Sequence, residues 1–358
     1  MSKQQHHKKI GFIIHPLDIA NFFKTFPVFY KKTHSFLGPL INEKKPYRLT
    51  RLFSKLPSHK VFHIRGVSFT ESMNVDLVGV MCPMFPKEMI LDKKEVMVKM
   101  KQALQIFERE KMDIVTLAGF SSIVTNGGYD IVDKTTVPVT SGNTMTSVFC
   151  IDLIRYLLEG CQIRRDDRTL AVIGATGDIG SACARALCGD FTRLVLCSRT
   201  ISPDSDLVKQ LNVNNYILSR DAKEAVKNAD IVLTAASSIG TLLTAEDFKN
   251  GAVVCDSGMP PNVGRMVLNK RKDVKVFNGG RGRVGFYDTI TNEKWKSLFP
   301  GNAVFGCFLE ALLIAASGRS DLVSLGKGGI DQNKLEEFRV LAKEYNVSFS
   351  KDSETELC

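Results

Sequence analysis

From Thr169 to Asn278 the chain repeats one pattern. Short apolar runs, TLAVIG (169–174), LVLCS (194–198), IVLTA (231–235), AVVCDS (252–257) and VKVFN (274–278), are separated by segments such as DAKEAVKNA and AEDFK. Apolar runs of this length between helical stretches predict parallel strands joined by crossover helices, with helices covering both faces of the sheet. No other feature of the sequence limits the fold as tightly.

The first run leads into AVIGATGDIGSACARAL, where Gly174, Gly177 and Gly180 lie between a strand and a helix. Lack of a Cβ lets a backbone turn come close to a pyrophosphate, and the helix that follows offers N–H groups and a partial positive charge. In this setting the glycines predict a dinucleotide loop, whereas an isolated glycine pattern would be read as a turn. The next strand ends Cys197-Ser198-Arg199-Thr200, with no acid to hold a ribose 2′-hydroxyl. An arginine among hydroxyls suits a 2′-phosphate, so the expected cofactor is NADPH; a structural arginine is the other reading. Ala235, at the end of IVLTA, is grouped with this site.

The fold class expected is α/β: a Rossmann-type doubly wound parallel sheet, an N-terminal α/β substrate domain and closing C-terminal helices. The boundaries read as 1–143 for the substrate domain, 144–164 for a connecting helix and 165–285 for the NADP domain. Helices at 286–348 are expected to return to the interdomain cleft, and 349–358 to form a polar tail. In the leading domain, KIGFIIH (9–15), VDLVGVM (75–81) and DIVTLA (113–118) read as strands. Residues 93–111 read as an amphipathic helix, with Val96, Met97, Met100, Ala103, Leu104 and Phe107 on one face.

Charge is unevenly spread. Residues 1–70 hold 13 Lys/Arg against Asp18 and Glu43, a net +11, while the whole chain is +10. That asymmetry points to an anionic partner or to a well-solvated surface. The aromatic and basic stretch NFFKTFPVFYKK makes a membrane surface a further candidate contact. No apolar run reaches the ~20 residues of a membrane span, and no signal peptide is read at the N-terminus. The nine cysteines show no metal spacing and no disulfide framework, as expected of a reducing cytoplasm.

Two side chains are candidates for chemistry. All six histidines fall within the first 63 residues, and only His15, at a strand end, is expected near a cleft; it could equally be a hydrogen-bonded strand-end histidine. Cys307 lies in FPGNAVFGCFLEALLIAASG, among Val304, Phe308, Ala311 and Leu312 at helical spacing. It is either a small core residue or a nucleophile whose thiolate the helix N-terminus stabilises.

Several stretches bear on that choice: KIGFIIH, LAGFSSI (117–123), TSGNTMTS (140–147), VIGATGDIGSA (172–182), CDSGMPPNVG (255–264), FNGG (277–280) and FGCFLEALL (305–313). Together and in this order they resemble the long-chain acyl-[acyl-carrier-protein] reductases of cyanobacterial type. The resemblance implies NADPH-dependent reduction of an acyl thioester, acyl-carrier protein or acyl-CoA, to a fatty aldehyde through an acyl-cysteine at Cys307. It implies an NADPH loop at Gly174, Ala175, Thr176, Gly177, Asp178 and Ile179. The 2′-phosphate then falls at Ser198, Arg199 and Thr200. A substrate cleft is implied along Gly119, Phe120, Ser121 and Ser122, and along Gly142, Asn143 and Thr144. An aldehyde-consuming enzyme is a further implied partner, and nucleic acid is not expected. Met145 stands where better-known members carry a histidine, and Arg281-Gly282-Arg283 where they are acidic. The alternatives left open are a two-domain dehydrogenase of shikimate or amino-acid type, glutamyl-tRNA reductase chemistry, and a non-catalytic NADP sensor.

Overall fold

A computed structural model describes residues 6–17, 46–70, 73–160, 167–264, 266–285 and 293–351. The Phe-rich basic stretch, Cys161, Cys358 and most of the polar tail lie outside the described residues. The chain divides into two units, one comprising Met1–Ser141 with Ile314–Gly326, the other Gly142–Leu313 with Lys327–Cys358.

The first unit is built on a five-stranded sheet in the order β2-β3-β1-β4-β5. Its strands are β1 (His6–Ile14), β2 (His59–Thr70), β3 (Met73–Met81), β4 (Ile114–Leu117) and β5 (Val139–Thr140). β1 pairs in parallel with β3 and β4, β4 does so with β5, and β2 runs antiparallel along the edge. The helices are α1 (Pro46–Phe53), α2 (Pro86–Leu91), α3 (Lys93–Glu110) and α4 (Phe120–Val124). α3 follows most of the expected periodicity: Val96, Met100, Ala103, Leu104 and Phe107 are buried with Ile13, Val78, Val80 and Leu117 of the sheet, while Met97 is only partly buried against them. Asp92 caps it by accepting the Glu95 N–H, and Lys111 ends it in the left-handed conformation.

The second unit opens with α5 (Asn143–Gly160). The strands β6 (Thr169–Ile173), β7 (Arg193–Cys197), β8 (Tyr216–Ser219), β9 (Ile231–Thr234), β10 (Val253–Asp256) and β11 (Lys275–Asn278) follow. They form one sheet in the order β11-β10-β9-β6-β7-β8, with every pairing parallel. Counted from β6, this is the doubly wound order 3-2-1-4-5-6, which reverses between β6 and β9 and opens a crevice at their carboxyl ends. The crossovers carry α6 (Asp178–Leu187), α7 (Asp206–Lys209), α8 (Ala222–Val226) and α9 (Met266–Lys270).

Beyond β11 the chain departs from the expected run of helices. β12 (Arg281–Val284) pairs antiparallel with β13 (Val304–Phe305) and β14 (Val347–Phe349). Around them lie α10 (Glu293–Leu298), α11 (Gly306–Ser317) and α12 (Gln332–Glu344). The connecting helix and the closing section therefore belong largely to the second unit, while Ile314–Gly326 belongs to the first. Ser141 N–H donates to Ser324 O, Ser324 N–H to Thr140 Oγ1 and Gly326 N–H to Gly127 O, so that segment is held by backbone groups and one hydroxyl of the first unit itself. Among the described residues, no helix is long and apolar enough to cross a membrane.

Candidate active site

The glycine loop sits at the reversal point of the six-stranded sheet. Gly174 has φ +86°, and a Cβ on it would come within 2.6 Å of the Ala235 carbonyl oxygen. The turn therefore runs directly against the loop after β9, closer than any side chain permits. Gly174 and Ala175 donate their N–H groups to Cys197 O, and Gly177 donates to Gly174 O. That closes a tight turn at the start of α6. Ala236 on the neighbouring loop is held from both sides by buried Asn262, whose Oδ1 accepts its N–H (3.0 Å) and whose Nδ2 donates to its carbonyl (3.1 Å).

Asn262 is held in turn by Asp256 at the end of β10. The Asp256 carboxylate accepts from Thr234 Oγ1 and from the N–H groups of Gly258, Asn262 and Val263. Burial raises its pKa despite these four donors. The sequence alone marks neither Asp256 nor Asn262 as a site residue. The signal was the stretch CDSGMPPNVG, whose polar residues only the fold brings under the β9 loop.

At the end of β7, three hydroxyls gather. Thr176 Oγ1 lies 2.5 Å from Ser198 Oγ and 3.4 Å from Thr200 Oγ1, and Arg199 beside them is exposed. A backbone cradle too close for a Cβ, a helix N-terminus and a hydroxyl cluster with an exposed guanidinium fit a dinucleotide with a 2′-phosphate. Asp178 turns elsewhere. Its Oδ2 accepts from Asn143 Nδ2 (3.0 Å) and its Oδ1 from the Gly328 N–H (3.1 Å), while burial raises its pKa.

In the same unit, Gly142 meets Cys307. Gly142 has φ +75°, and a Cβ there would lie 2.2 Å from both Cα and Cβ of Cys307. A Cβ on Gly306 would lie 2.8 Å from Cα and N of Thr146, and the Gly306 N–H donates to Gly280 O. The first turns of α5 and α11 thus meet at Cys307. Thr144 is fully buried behind them. Fully buried Glu310, one turn beyond Cys307 on α11, accepts the Met145 N–H at 2.9 Å.

The expected thiolate is not what this geometry gives. The N–H groups of Phe308 and Cys307 pull the thiol pKa down, as a helix N-terminus should. Burial, and next the charge of Glu310, outweigh them and push it up to about 12. The Cys307 side chain is only half-buried, and the upward direction of the shift favours the thiol over the thiolate at neutral pH.

The remaining residues expected at the site lie in the first unit. His15 Nε2 accepts the Phe120 N–H (2.9 Å) and Nδ1 faces Pro16 O (3.2 Å), which fixes the Nδ1–H tautomer. Burial lowers its pKa to about 4. The ring is therefore neutral and spends both nitrogens within the fold, holding the first N–H of α4. That is the strand-end reading of His15 rather than a side chain offered to substrate. Gly119 precedes α4 at φ 55°, ψ −125°, and Ser121 and Ser122 are buried in its first turn. Among the described residues the Ser121 hydroxyl has no hydrogen-bond partner.

A sheet in this order, with a glycine loop at its reversal, defines the second unit as a dinucleotide domain of NAD(P)-dependent oxidoreductase type. The profile of the shikimate / quinate 5-dehydrogenase family matches residues 160–278, which is that sheet. The long-chain acyl-[acyl-carrier-protein] reductase of Synechococcus elongatus (strain ATCC 33912 / PCC 7942 / FACHB-805) is 30% identical over 253 residues, 66% of this chain and 72% of that protein. The chain belongs to the long-chain acyl-[acyl-carrier-protein] reductase family. Aminotransferase PigE of Serratia sp. (strain ATCC 39006) is 24% identical over 258 residues, 71% of this chain but only 30% of that protein's length. A glutamyl-tRNA reductase of Chlorobium chlorochromatii (strain CaD3) is 24% identical over 139 residues, 36% of this chain and 32% of that protein.

Proposed function

We propose that the protein is an NADPH-dependent acyl thioester reductase that releases a fatty aldehyde through an acyl group carried on Cys307. The observation that carries this reading is the meeting of Gly142 with Cys307, which sets the thiol between the first turns of two helices. N–H groups at those turns suit the oxyanion formed when a thioester carbonyl is attacked. A covalent cysteine adduct divides a difficult transfer into two easier ones.

NADPH, held by Gly174–Gly177 with its 2′-phosphate toward Ser198, Arg199 and Thr200, supplies hydride. Cys307 presents the acyl carbonyl and then leaves as the aldehyde forms. Acyl-carrier protein or acyl-CoA is the donor in this reading, and an acidic carrier suits the basic first 70 residues, with their net charge of +11. Cys307→Ser is expected to bind NADPH normally and to lose aldehyde formation. Intact mass after incubation with a long-chain acyl donor, without NADPH, tests the first half: one acyl group on Cys307 supports the reading, and turnover by Cys307→Ser ends it.

A second reading, direct hydride exchange with a small hydroxy or amino acid, draws on the profile match over residues 160–278. It predicts that Cys307→Ser is harmless.

A further inference from the structure

A thiol with a pKa near 12 is a poor nucleophile at neutral pH. It must lose its proton as it attacks, and the proton needs an acceptor close by. The second unit has no histidine, because all six lie between positions 6 and 63. Arg281, whose guanidinium stacks 4.7 Å over the Phe305 ring, cannot accept a proton.

Glu310 meets the requirement. It follows Cys307 by three residues on α11, so the two side chains share one face of the helix. It is fully buried, where a carboxylate acts with little screening by water. The Met145 N–H fixes Oε2 against the first turn of α5, the turn that Gly142 opens against Cys307.

We propose that Glu310 is the general base that takes the Cys307 proton as the sulfur attacks an acyl thioester. The proposal rests on the acyl-transfer reading above. The S–H bond breaks toward the carboxylate while the sulfur–carbon bond forms. The donor's carbon–sulfur bond then breaks, and the donor thiolate leaves and is protonated by water. Glu310 keeps its proton until the aldehyde departs, when the Cys307 sulfur leaves with its electron pair and takes the proton back. One hydride from the nicotinamide and one proton from water are consumed per turnover.

The test compares wild type with Glu310→Gln, whose amide oxygen still accepts the Met145 N–H. Acylation by palmitoyl-CoA and by palmitoyl-acyl-carrier protein is followed by rapid-quench intact mass. Alkylation of Cys307 by iodoacetamide is followed against pH, with the modified peptide mapped. Acylation is expected to slow by about 10²–10⁴-fold in the variant. NADPH binding should hold, and the alkylation midpoint should move to lower pH because a negative neighbour is gone. Those opposite movements separate a proton acceptor from a side chain that only shapes the turn.

Acylation of Glu310→Gln at the wild-type rate, or parallel loss of acylation and alkylation, overturns the proposal and leaves the reductase reading standing. Wild type that forms no adduct with either donor ends both. Should the variant not fold, wild-type acylation in D2O decides. A slower rate in D2O marks a proton in flight and supports the base; an equal or faster rate marks a preformed thiolate and overturns it.

Discussion

Asn143 donates a 3.0 Å hydrogen bond from Nδ2 to Oδ2 of Asp178, so the first residue of α5 grips the first residue of α6. One of these helices opens the turn beside Cys307 and the other follows the dinucleotide loop. The link therefore ties the two halves of the proposed chemistry within one unit. Asn143→Ala leaves the half-buried Asp178 carboxyl with one fewer donor. It is expected to lower stability by about 1–3 kcal/mol and to weaken NADPH binding. Urea unfolding and nicotinamide fluorescence titration measure the two effects.

Gly142→Ala forces a methyl group into the Cα of Cys307 at a positive φ. Overpacking of this kind costs about 1–3 kcal/mol, and the displaced thiol should acylate more slowly. A variant as stable and as readily acylated as wild type would show that the approach of Gly142 to Cys307 is not needed.

Arg199 is exposed next to three hydroxyls and is the group assigned to the 2′-phosphate. Charge-assisted hydrogen bonds contribute roughly 1.5–3 kcal/mol. Arg199→Gln is therefore expected to weaken NADPH by about ten- to a hundredfold and to leave NADH nearly unchanged. Equal losses for both cofactors would place the phosphate elsewhere.

The protein is expected to lose stability in mild acid through His15. In the unfolded chain this ring takes up a proton near pH 6.5, but in the fold only near 4. Between those values the unfolded state holds more protons. The contribution is thus complete above about pH 6.5, declines as pH falls toward 4, and is flat below. At about 1.4 kcal/mol per unit it amounts to roughly 3 kcal/mol. His15→Gln should flatten that part of the urea-midpoint-versus-pH curve; an unchanged curve would assign the acid sensitivity to other groups.

The doubly wound sheet was legible because β6, β7, β9 and β10 are buried on both faces and read as unbroken apolar runs. β8 escaped because Tyr216–Ser219 lies at the sheet edge, with Ile217 half exposed and no apolar run to mark it. β12 to β14 escaped for another reason. Arg281–Val284 carries two arginines, and the other two strands have two and three residues, too few for a period to show.

At the site, the glycines and Cys307 announced themselves through neighbours in sequence. Glu310 did not, since an acid within FGCFLEALL reads equally well as a solvated position until the fold encloses it. The same enclosure explains the failure of the thiolate expectation. A helix N-terminus contributes fractions of a kcal/mol to about 2, and desolvation of the half-buried Cys307, with buried Glu310 one turn on, outweighs it.

The division of the chain bears on how the protein is made. The first unit is not one continuous stretch, because Ile314–Gly326 supplies the partners of Gly127, Thr140 and Ser141. During translation its sheet can leave the ribosome early but must wait for the strand-edge and loop partners encoded far downstream. At about 5–20 residues per second that delay is of the order of ten to forty seconds. A nascent chain in that interval lacks the Ser324 and Gly326 partners of Thr140, Ser141 and Gly127, and a fragment cut after Ser141 would lack them for good.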